Sequence, residues 1–264
     1  MNILDTIVAK KKIEVAAAKE KVSVEELTQQ MLFSRPTLSL CSFLSDETRT
    51  GIIAEFKRKS PSKGVINATA EVEEVTSAYA TAASGISVLT DTDFFGGAIE
   101  DLKRARIQQV PILRKDFMID EYQVYEAKAI GADVILLIAA CLTPDEVNQL
   151  GACAKGLGLE VLLEIHDETE LEHISDMVDM VGVNNRNLKT FEVDINTSLR
   201  LIEQIPVGKP AIAESGISNV DTIVTLRKAG LSGFLIGENF MKEPRPSVAF
   251  ADFIDQLKAK QNAY

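Results

Sequence analysis

The sequence predicts an α/β protein whose strands close into a (β/α)8 barrel, the TIM-barrel fold, behind a short helical extension. Short apolar runs rich in β-branched residues recur eight times, at intervals of about 20–34 residues. Segments with the apolar spacing of a helix lie between them. No G-x-G-x-x-G turn follows the first run, as an open dinucleotide-binding sheet would favour. Eight even repeats of strand and helix are typical of a closed barrel.

The eight runs are predicted to be buried parallel strands. The run from Val134 to Ile138 is apolar throughout, which is expected where a sheet is covered on both faces. A helical segment between consecutive runs provides the crossover that parallel strands need. The predicted strands are Ile52–Phe56, Ile86–Thr90, Pro111–Arg114, Asp133–Ile138, Glu160–Ile165, Met180–Val183, Ala211–Ala213 and Gly233–Ile236.

Helices are predicted from their start and stop signals as well as their spacing. Thr143 offers a capping hydroxyl, Pro144 suits the first helical position, and acidic residues follow in the first turn. Glycines such as Gly131 and Gly230 lie where helices should end. The predicted helices between strands are Val72–Ala83, Glu121–Ile130, Pro144–Gly158, Ile195–Gln204 and Val220–Ala229.

Residues 1–45 form a predicted N-terminal helical extension, and residues 46–264 form the barrel of what is a single domain overall. One or two helices are predicted in the extension, over Ile3–Lys21 and Val24–Gln30. Ser23 and Glu26 form a capping box at the start of the second helix. We expect the extension to close the barrel or to flank its mouth.

Composition narrows the class of partner. With 28 Lys and Arg against 39 Asp and Glu, the formal net charge of −11 disfavours binding to nucleic acid or to an anionic membrane. No segment resembles a secretion signal or approaches the ~20 apolar residues of a membrane span. The three cysteines are too few for a disulfide framework, and two histidines exclude a His-rich metal site. A cytoplasmic protein with a small-molecule partner is expected.

Charged side chains follow the predicted strands, at the end where barrel enzymes carry their active sites. Glu55 and Lys57 share parity, so both should point into the barrel mouth and hold each other charged. Lys115 is suited to act as a general acid, an anion anchor or a Schiff-base nucleophile. Glu164 ends an apolar run, where a carboxylate is costly to bury without a partner or a task. His166 is expected to be structural or to cap a helix.

Two glycine turns after the last strands predict a phosphate site. Ser215 and Gly216 follow the seventh strand, and Gly237 and Glu238 follow the eighth. Such turns present backbone N–H groups where many barrels bind phosphate, at the start of a short helix. Two ordinary glycine turns are the structural alternative.

The segment from Glu55 to Gly64, EFKRKSPSKG, resembles the E-x-K-x-x-S-P-S-x-G segment of indole-3-glycerol-phosphate synthases, the tryptophan-pathway barrels that close the indole ring. Six further motifs in the family order extend the resemblance to about residue 241, and the helical extension also fits. They are Leu89-Thr90-Asp91 with Phe95-x-Gly97, Leu113 to Phe117, Leu163-Glu164, Gly182 to Leu188, Ala213 to Ile217 and Leu235-Ile236-Gly237.

The resemblance implies a role for each matching residue. Lys115 corresponds to the general acid that protonates the substrate carbonyl oxygen, and Glu164 to a carboxylate assigned to proton removal. Lys57 matches the lysine that contacts the anthranilate carboxylate and is assigned to dehydration, with Glu55 as its neighbour. The implied catalytic set also contains Asn184 and Ser215. The implied substrate and phosphate contacts are Ser60, Phe117, Leu136, Arg186, Glu214, Gly216, Gly237 and Glu238.

Three positions depart from the family pattern. Lys59 stands in place of a small residue, Ala98 in place of a common serine, and Glu238 in place of a serine found in some members. A carboxylate at Glu238 would have to turn away from a bound phosphate. None of the three departures removes a catalytic group.

The implied reaction is ring closure of 1-(2-carboxyphenylamino)-1-deoxyribulose 5-phosphate with loss of CO2 and water, without metal, nucleotide or Schiff base. Two alternatives stay open: a phosphosugar aldolase or isomerase with a Schiff base on Lys115, and a non-catalytic barrel that binds phosphate ligands or a pathway enzyme. Neighbouring enzymes of the tryptophan pathway are candidate partners. Lys115→Ala is expected to abolish turnover and to leave folding and phosphate binding nearly intact. Although the chain is acidic overall, cations concentrate at the ends of the predicted strands, so the barrel mouth is predicted to be locally basic. These cations are Lys57, Lys59, Lys63, Arg114, Lys115 and Arg186.

Overall fold

In the computed structural model, which describes residues 3–188 and 190–261, eight parallel strands form a closed barrel. Each strand pairs with its neighbours in sequence, and the first pairs with the last, where Ile53 lies opposite Leu235. The strands are β1 (Ile52–Phe56), β2 (Gly85–Leu89), β3 (Ile112–Lys115), β4 (Val134–Ile138), β5 (Glu160–Ile165), β6 (Met180–Asn184), β7 (Ala211–Glu214) and β8 (Gly233–Ile236).

All eight predicted strands are confirmed, and no boundary differs from the prediction by more than one residue. Lys115, Asn184 and Glu214, predicted to follow their strands, are instead the last residues of β3, β6 and β7. Pairing continues through them because backbone hydrogen bonds, as between the paired positions Asn184 and Glu214, do not depend on side-chain polarity. These side chains therefore belong to the rigid sheet and not to loops.

Helices surround the barrel less evenly than predicted. The segment after β5 forms only a 3-10 helix, Glu168–His173, and predicted helix Ile195–Gln204 is divided between an α-helix and a 3-10 turn. The α-helices are α1 (Ile3–Lys21), α2 (Val24–Thr28), α3 (Leu40–Ser45), α4 (Val72–Ala80), α5 (Ile99–Ala105), α6 (Glu121–Ala129), α7 (Pro144–Gly156), α8 (Asn196–Leu201), α9 (Val220–Lys228), α10 (Glu238–Met241) and α11 (Pro246–Gln261).

The N-terminal extension reaches both ends of the barrel interior. Ile7 of α1 and the α3 residues Leu40 and Leu44 all belong to the apolar cluster that fills the barrel. Leu40 lies against Gly85 and Leu44 against Gly233, and each of these glycines is the first residue of a strand. Helix α3, which the sequence did not indicate, therefore closes the amino end, while α1 lies at the mouth. The division of the chain at residue 45 stays a prediction.

Helix α1 is fixed at the mouth by a buried ammonium group. Lys11 Nζ lies 3.0 Å from carboxylate oxygens of both Asp91 and Asp116, and 2.6 Å from Glu14. Burial lowers the pKa of Lys11, but the carboxylates of Asp116, Glu14 and Asp91 outweigh it and raise the pKa above its ordinary value. The Lys11 ammonium therefore stays charged.

Within the described residues, no helix has the length and apolar character needed to cross a membrane.

Asp133, just before β4, is fully buried and joins separate parts of the chain. Its carboxylate accepts hydrogen bonds from Arg35 at 2.5 Å and from Arg106. The backbone N–H groups of Leu38 and Ile112 also donate to it, each at 2.8 Å. One side chain thereby ties the extension and the loop after α5 to the start of the sheet.

We expect Asp133→Ala to lower the free energy of unfolding by about 3–5 kcal/mol, because it leaves the buried Arg106 guanidinium without its carboxylate. Urea denaturation followed by circular dichroism measures the change. Asp252→Ala, at an exposed position of α11, is the matched control and should shift stability by no more than about 0.5 kcal/mol. Equal effects of the two substitutions would contradict the role given to Asp133.

Candidate active site

A cavity opens at the carboxyl ends of the strands, beside the first turns of α1. Every residue that the sequence assigned to catalysis or to substrate contact lines this cavity. The catalytic candidates among them are Glu55, Lys57, Lys115, Glu164, Asn184 and Ser215. The substrate-contact candidates are Ser60, Phe117, Leu136, Arg186, Glu214, Gly216, Gly237 and Glu238.

Lys115 is the centre of a buried charge cluster. Its Nζ donates to Glu164 Oε2 at 2.7 Å and to Glu214 Oε2 at 3.0 Å. These residues end or nearly end β3, β5 and β7, and Glu55 occupies a similar position on β1. Alternate strands of such a barrel place their inward side chains in one layer, which explains why four distant residues meet. Within the described part of the chain, no group of His, Cys, Asp or Glu side chains is arranged to hold a metal ion.

The cluster separates the pKa values of its members. Burial lowers the pKa of Lys115, but Glu164, Glu214 and Glu55 outweigh it and raise the pKa above its ordinary value. Burial raises the pKa of Glu164, yet Lys115 and His166 hold it well below its ordinary value. Burial raises the pKa of Glu214 to about 7, because Lys115 opposes it only in part and the other carboxylates add to it. At neutral pH the site therefore holds an ammonium, an ionised Glu164 and a Glu214 near its midpoint.

A second ion pair stands beside the first. Glu55 and Lys57 both face the cavity, as their parity predicts, while Phe56 between them packs into the core outside the barrel. Lys57 Nζ lies 2.5 Å from Glu55 Oε1, and Glu55 is only 3% exposed. The pair brings a second ammonium to the same layer of the barrel mouth.

Two glycines of the sequence motifs make room for these carboxylates. A Cβ atom at Gly182 would lie 2.2 Å from Glu214 Oε1, and one at Gly237 would lie 2.5 Å from Glu55 Oε1. Both distances are far below van der Waals contact, so any side chain there would displace a carboxylate of the cluster. Glycine is therefore required at both positions because the neighbouring carboxylates leave no room for a side chain.

Glu164 is also held through its other oxygen. Asn184 Nδ2 donates to Glu164 Oε1 at 3.0 Å, and His166 Nε2 lies 3.3 Å from the same atom. The sequence placed Asn184 in the site but gave His166 a structural or capping role only. A histidine two residues after a strand-end carboxylate shares its parity, and that was the available signal.

The predicted phosphate end has tight turns and two cations. Ser215 and Gly216 adopt φ of 66° and 77°, which is uncommon for serine and suggests a functional constraint. Helix α10 begins at Glu238, directly after Gly237. The Glu238 carboxylate lies 3.7 Å from Arg186 Nη2. The same carboxylate also lies 3.7 Å from Lys63 Nζ.

A small hairpin after β1 forms one side of the opening. Its two-residue strands, Lys59–Ser60 and Gly64–Val65, pair in antiparallel fashion. Ser60 is buried, and its Oγ lies 3.5 Å from Ser62 Oγ in the cavity wall. The S-P-S motif is therefore part of the cavity lining.

Part of the wall is apolar and aromatic. Phe117 and Leu136 line it, and the ring centroid of Phe95 lies 5.9 Å from that of Phe117. Ile3 and Ile7 of α1 contribute as well. Ile3 and Ile7 were not predicted from the sequence to line the site, because their spacing is that of any packed helix.

The basic mouth is smaller than predicted. Arg114 points away from the cavity and donates to Glu126 at 2.6 Å, because consecutive residues of a strand face opposite sides. Only Lys115 of that pair can face inward. Lys59 donates to the backbone oxygen of Asp93 at 2.9 Å and also leaves the cavity. The cations that line the cavity are Lys57, Lys115 and Arg186.

Solved structures resemble this chain in fold at low sequence identity. A chain of the tryptophan synthase α2β2 complex from Pyrococcus furiosus superposes with a TM-score of 0.60 and 17% identity, covering 80% of this chain and 99% of that one. 3-Hexulose-6-phosphate synthase from Salmonella typhimurium gives 0.61 and 13%, covering 79% and 98%. These similarities confirm the TIM-barrel fold.

Sequence comparison identifies one family. A family model described as Indole-3-glycerol phosphate synthase matches residues 4–253. A protein of that name from Bacteroides thetaiotaomicron is 47% identical over 259 residues, which cover 97% of this chain and 99% of the relative. Another from Acinetobacter baumannii is 42% identical over 259 residues, covering 97% and 96%. The chain therefore belongs to the indole-3-glycerol phosphate synthase family.

Proposed function

We propose that this protein converts 1-(2-carboxyphenylamino)-1-deoxyribulose 5-phosphate into indole-3-glycerol phosphate, CO2 and water in tryptophan biosynthesis. Membership of a family of decarboxylating lyases supports the reaction. The observation that carries the assignment is the Lys115 ammonium, held by Glu164 at 2.7 Å and Glu214 at 3.0 Å within the cavity. An acid and a base are thereby positioned around one bound substrate.

The cavity has groups for each part of this substrate. Lys57 binds the anthranilate carboxylate, and the apolar wall formed by Phe117 and Leu136 receives the aromatic ring. The phosphate binds at the other set of turns, where backbone N–H groups and a guanidinium are available. The proposed phosphate contacts are Ser60, Arg186, Ser215, Gly216 and Gly237.

Ring closure begins when the ring carbon that bears the carboxylate attacks the carbonyl carbon. Lys115 donates a proton to the carbonyl oxygen, so that no free alkoxide accumulates as the C–C bond forms. The bond to the carboxylate then breaks, its electron pair restores the aromatic ring, and CO2 leaves. Lys57 must bind the carboxylate no more tightly than the transition state, because stronger ground-state binding would slow decarboxylation.

Dehydration then removes the new hydroxyl group as water. Lys57, paired with Glu55 at 2.5 Å, donates a proton to the leaving hydroxyl. Glu164 accepts the proton released from the adjacent carbon as the double bond forms. Once Lys115 has given up its proton, Glu164 loses a positive neighbour, and its pKa rises toward the ordinary value when it must act as a base. Asn184 orients the carboxylate through its bond at 3.0 Å.

The environment of Lys115 disfavours the Schiff-base alternative. A lysine that attacks a carbonyl must be a neutral amine, which needs a lowered pKa. Burial alone would lower the pKa of Lys115, but three carboxylates outweigh it and keep the ammonium charged. A barrel that merely bound phosphate ligands would have no use for carboxylates buried around that ammonium, since their desolvation is costly.

The proposed setting is a reducing cytoplasm. The thiols of Cys41, Cys141 and Cys153 are free, which fits such a compartment. The expected partner is the doubly anionic substrate. Contact with other enzymes of the tryptophan pathway stays a prediction.

The direct test is turnover of the proposed substrate by purified protein. Indole absorbance and CO2 release should appear together in equal amounts, with no added metal. Borohydride with substrate should leave no covalent adduct on Lys115. Folded protein that releases no CO2 would refute the function, and a trapped adduct would favour the aldolase alternative.

Lys115→Arg should separate charge from acid strength. Arginine keeps a positive charge between the carboxylates but does not give up a proton at neutral pH, so kcat should fall at least about 100-fold with near-normal thermal stability. Lys115→Ala should lose turnover and also stability, because Glu164 and Glu214 would face each other without the ammonium that lies between them. The structure thus revises the expectation that the alanine variant folds normally. Near-normal kcat in the arginine variant would contradict the acid role.

Glu238→Gln should tighten substrate binding. In the present structure the Glu238 carboxylate lies 3.7 Å from Arg186 and would compete with and repel a phosphate dianion. Removing a partly exposed charge of this kind should lower KM by roughly threefold to tenfold. Steady-state kinetics measures KM, and Glu243→Gln, at an exposed position just after α10, is the control. A raised KM would show that the carboxylate itself binds substrate.

A further inference from the structure

His166 lies directly after β5 and behind Glu164, outside the cavity lining. Its side chain is 11% exposed. Nε2 lies 3.3 Å from Glu164 Oε1, and Nδ1 lies 3.2 Å from Glu170 Oε2. The backbone N–H of His166 donates to the same Glu170 oxygen at 2.6 Å. The imidazole therefore bridges the carboxylate of the proposed base and a second carboxylate.

The two carboxylates on either side of the ring favour a charged imidazole. A neutral ring carries one N–H, so its other nitrogen would turn a lone pair toward a carboxylate oxygen. An imidazolium donates from Nδ1 to Glu170 and presents its Nε2 proton to Glu164 as an ion-pair contact at 3.3 Å, which lies outside hydrogen-bond geometry. The second histidine, His173, also has an acceptor at each ring nitrogen, but these are the neutral backbone oxygens of Leu142 at 2.9 Å and Glu170 at 3.1 Å, which place no negative charge against the ring.

The charges around the ring agree with an imidazolium. Glu164 faces it from β5 and Glu170 from the 3-10 helix, while Lys115 of β3 lies beyond Glu164. Burial lowers the pKa of His166, but the two carboxylates outweigh burial and raise it to about 10. Arg200 of α8 pairs with Glu168 at 2.5 Å and does not compete for these carboxylates.

The other ionisable groups near Glu164 do not replace this charge. Burial first, and then Glu164, Glu170 and Asp5, raise the pKa of the Cys141 thiol to about 12, so it stays neutral. Glu214 shares Lys115 with Glu164 and adds negative charge only. Among the described neighbours of Glu164, the two cations are therefore Lys115 and the His166 imidazolium.

We propose that His166, as an imidazolium bound between Glu164 and Glu170, is a positioning residue that keeps the Glu164 carboxylate ionised and aimed at the cavity. This role rests on the proposed function of Glu164 as the base. Asn184 donates to Oε1 and the His166 ring lies in ion-pair contact with the same atom, while Oε2 accepts from Lys115. When Lys115 transfers its proton, the imidazolium remains, so Glu164 keeps one positive partner and its orientation through the reaction.

The pH dependence of turnover follows from the sign of this charge. Glu164 must be ionised to act as a base, so protonating it causes an acid limb in the kcat profile. A positive charge within about 4–6 Å lowers the pKa of a carboxyl group, so losing it raises that pKa. Removing His166 should therefore move the acid limb to higher pH and leave the rate at alkaline pH less affected.

The kinetic test compares kcat from pH 3.5 to 9 in the wild-type protein and three variants. In His166→Gln the acid limb should rise by about one pH unit, which is about a tenfold loss of kcat on that limb. His166→Arg keeps a positive charge and should restore most of the limb. His173→Gln, the matched control, should leave it in place. An unmoved limb in His166→Gln, or an equal shift in the arginine variant, would overturn the proposal.

The spectroscopic test reads the charge of His166 without substrate. The chain has two histidines, so nitrogen-15 NMR of His173→Gln assigns the remaining ring. Both nitrogens of His166 should show imidazolium shifts at pH 7.5, and Glu170→Gln should lower the pH at which they titrate. A neutral ring at pH 7.5 would overturn the proposal. If wild-type protein fails to turn over the substrate, the proposed function fails, and this titration still decides the state of His166.

Discussion

Charge balance in one layer of a closed barrel is the constraint on which this site depends. Alternate strands direct their last inward side chains into the same layer, which here contains Glu55, Lys115, Glu164 and Glu214. Three carboxylates around one ammonium would be unstable alone. Lys57 pairs with Glu55 and the imidazole of His166 lies against Glu164, so each carboxylate except Glu214 has a cation of its own. Burial therefore raises the pKa of Glu214, because Lys115, which it shares with Glu164, opposes that effect only in part.

The same cluster explains how neighbouring groups take different proton roles. Lys115 and Glu164 are held charged by each other, so the acid begins protonated and the base begins ionised. Transfer of the Lys115 proton changes the electrostatic field at Glu164 at once.

The amino end of the barrel contributes stability and not chemistry. There Asp133 binds two guanidinium groups, and Leu40 and Leu44 fill the barrel interior. Replacing residues there should affect stability more than chemistry.

Most of the fold and the lining of the site were predictable from local sequence signals. The strands are apolar runs of four to six residues between turn signals, and their boundaries agree with the structure within one residue. Parity along β1 was enough to direct Glu55 and Lys57 inward and Phe56 outward. The position of polar residues at strand ends was enough to indicate the cavity. The helices were less predictable, since α3 and α10 are too short to show a period.

The sequence by itself therefore determined the barrel, the family and the residues that face the cavity, because these depend on alternation and spacing along the chain. Only the tertiary structure decided which charges meet. Lys115 hydrogen-bonds to Glu164, which lies 49 positions further along the chain, and to Glu214, which lies 99 positions further along. Lys11 of α1 likewise contacts Asp116, which follows β3. His166 likewise acquires its role from Glu170 and Glu164 on either side of its ring. Electrostatic energy depends on distance in space, which barrel closure sets and sequence spacing does not.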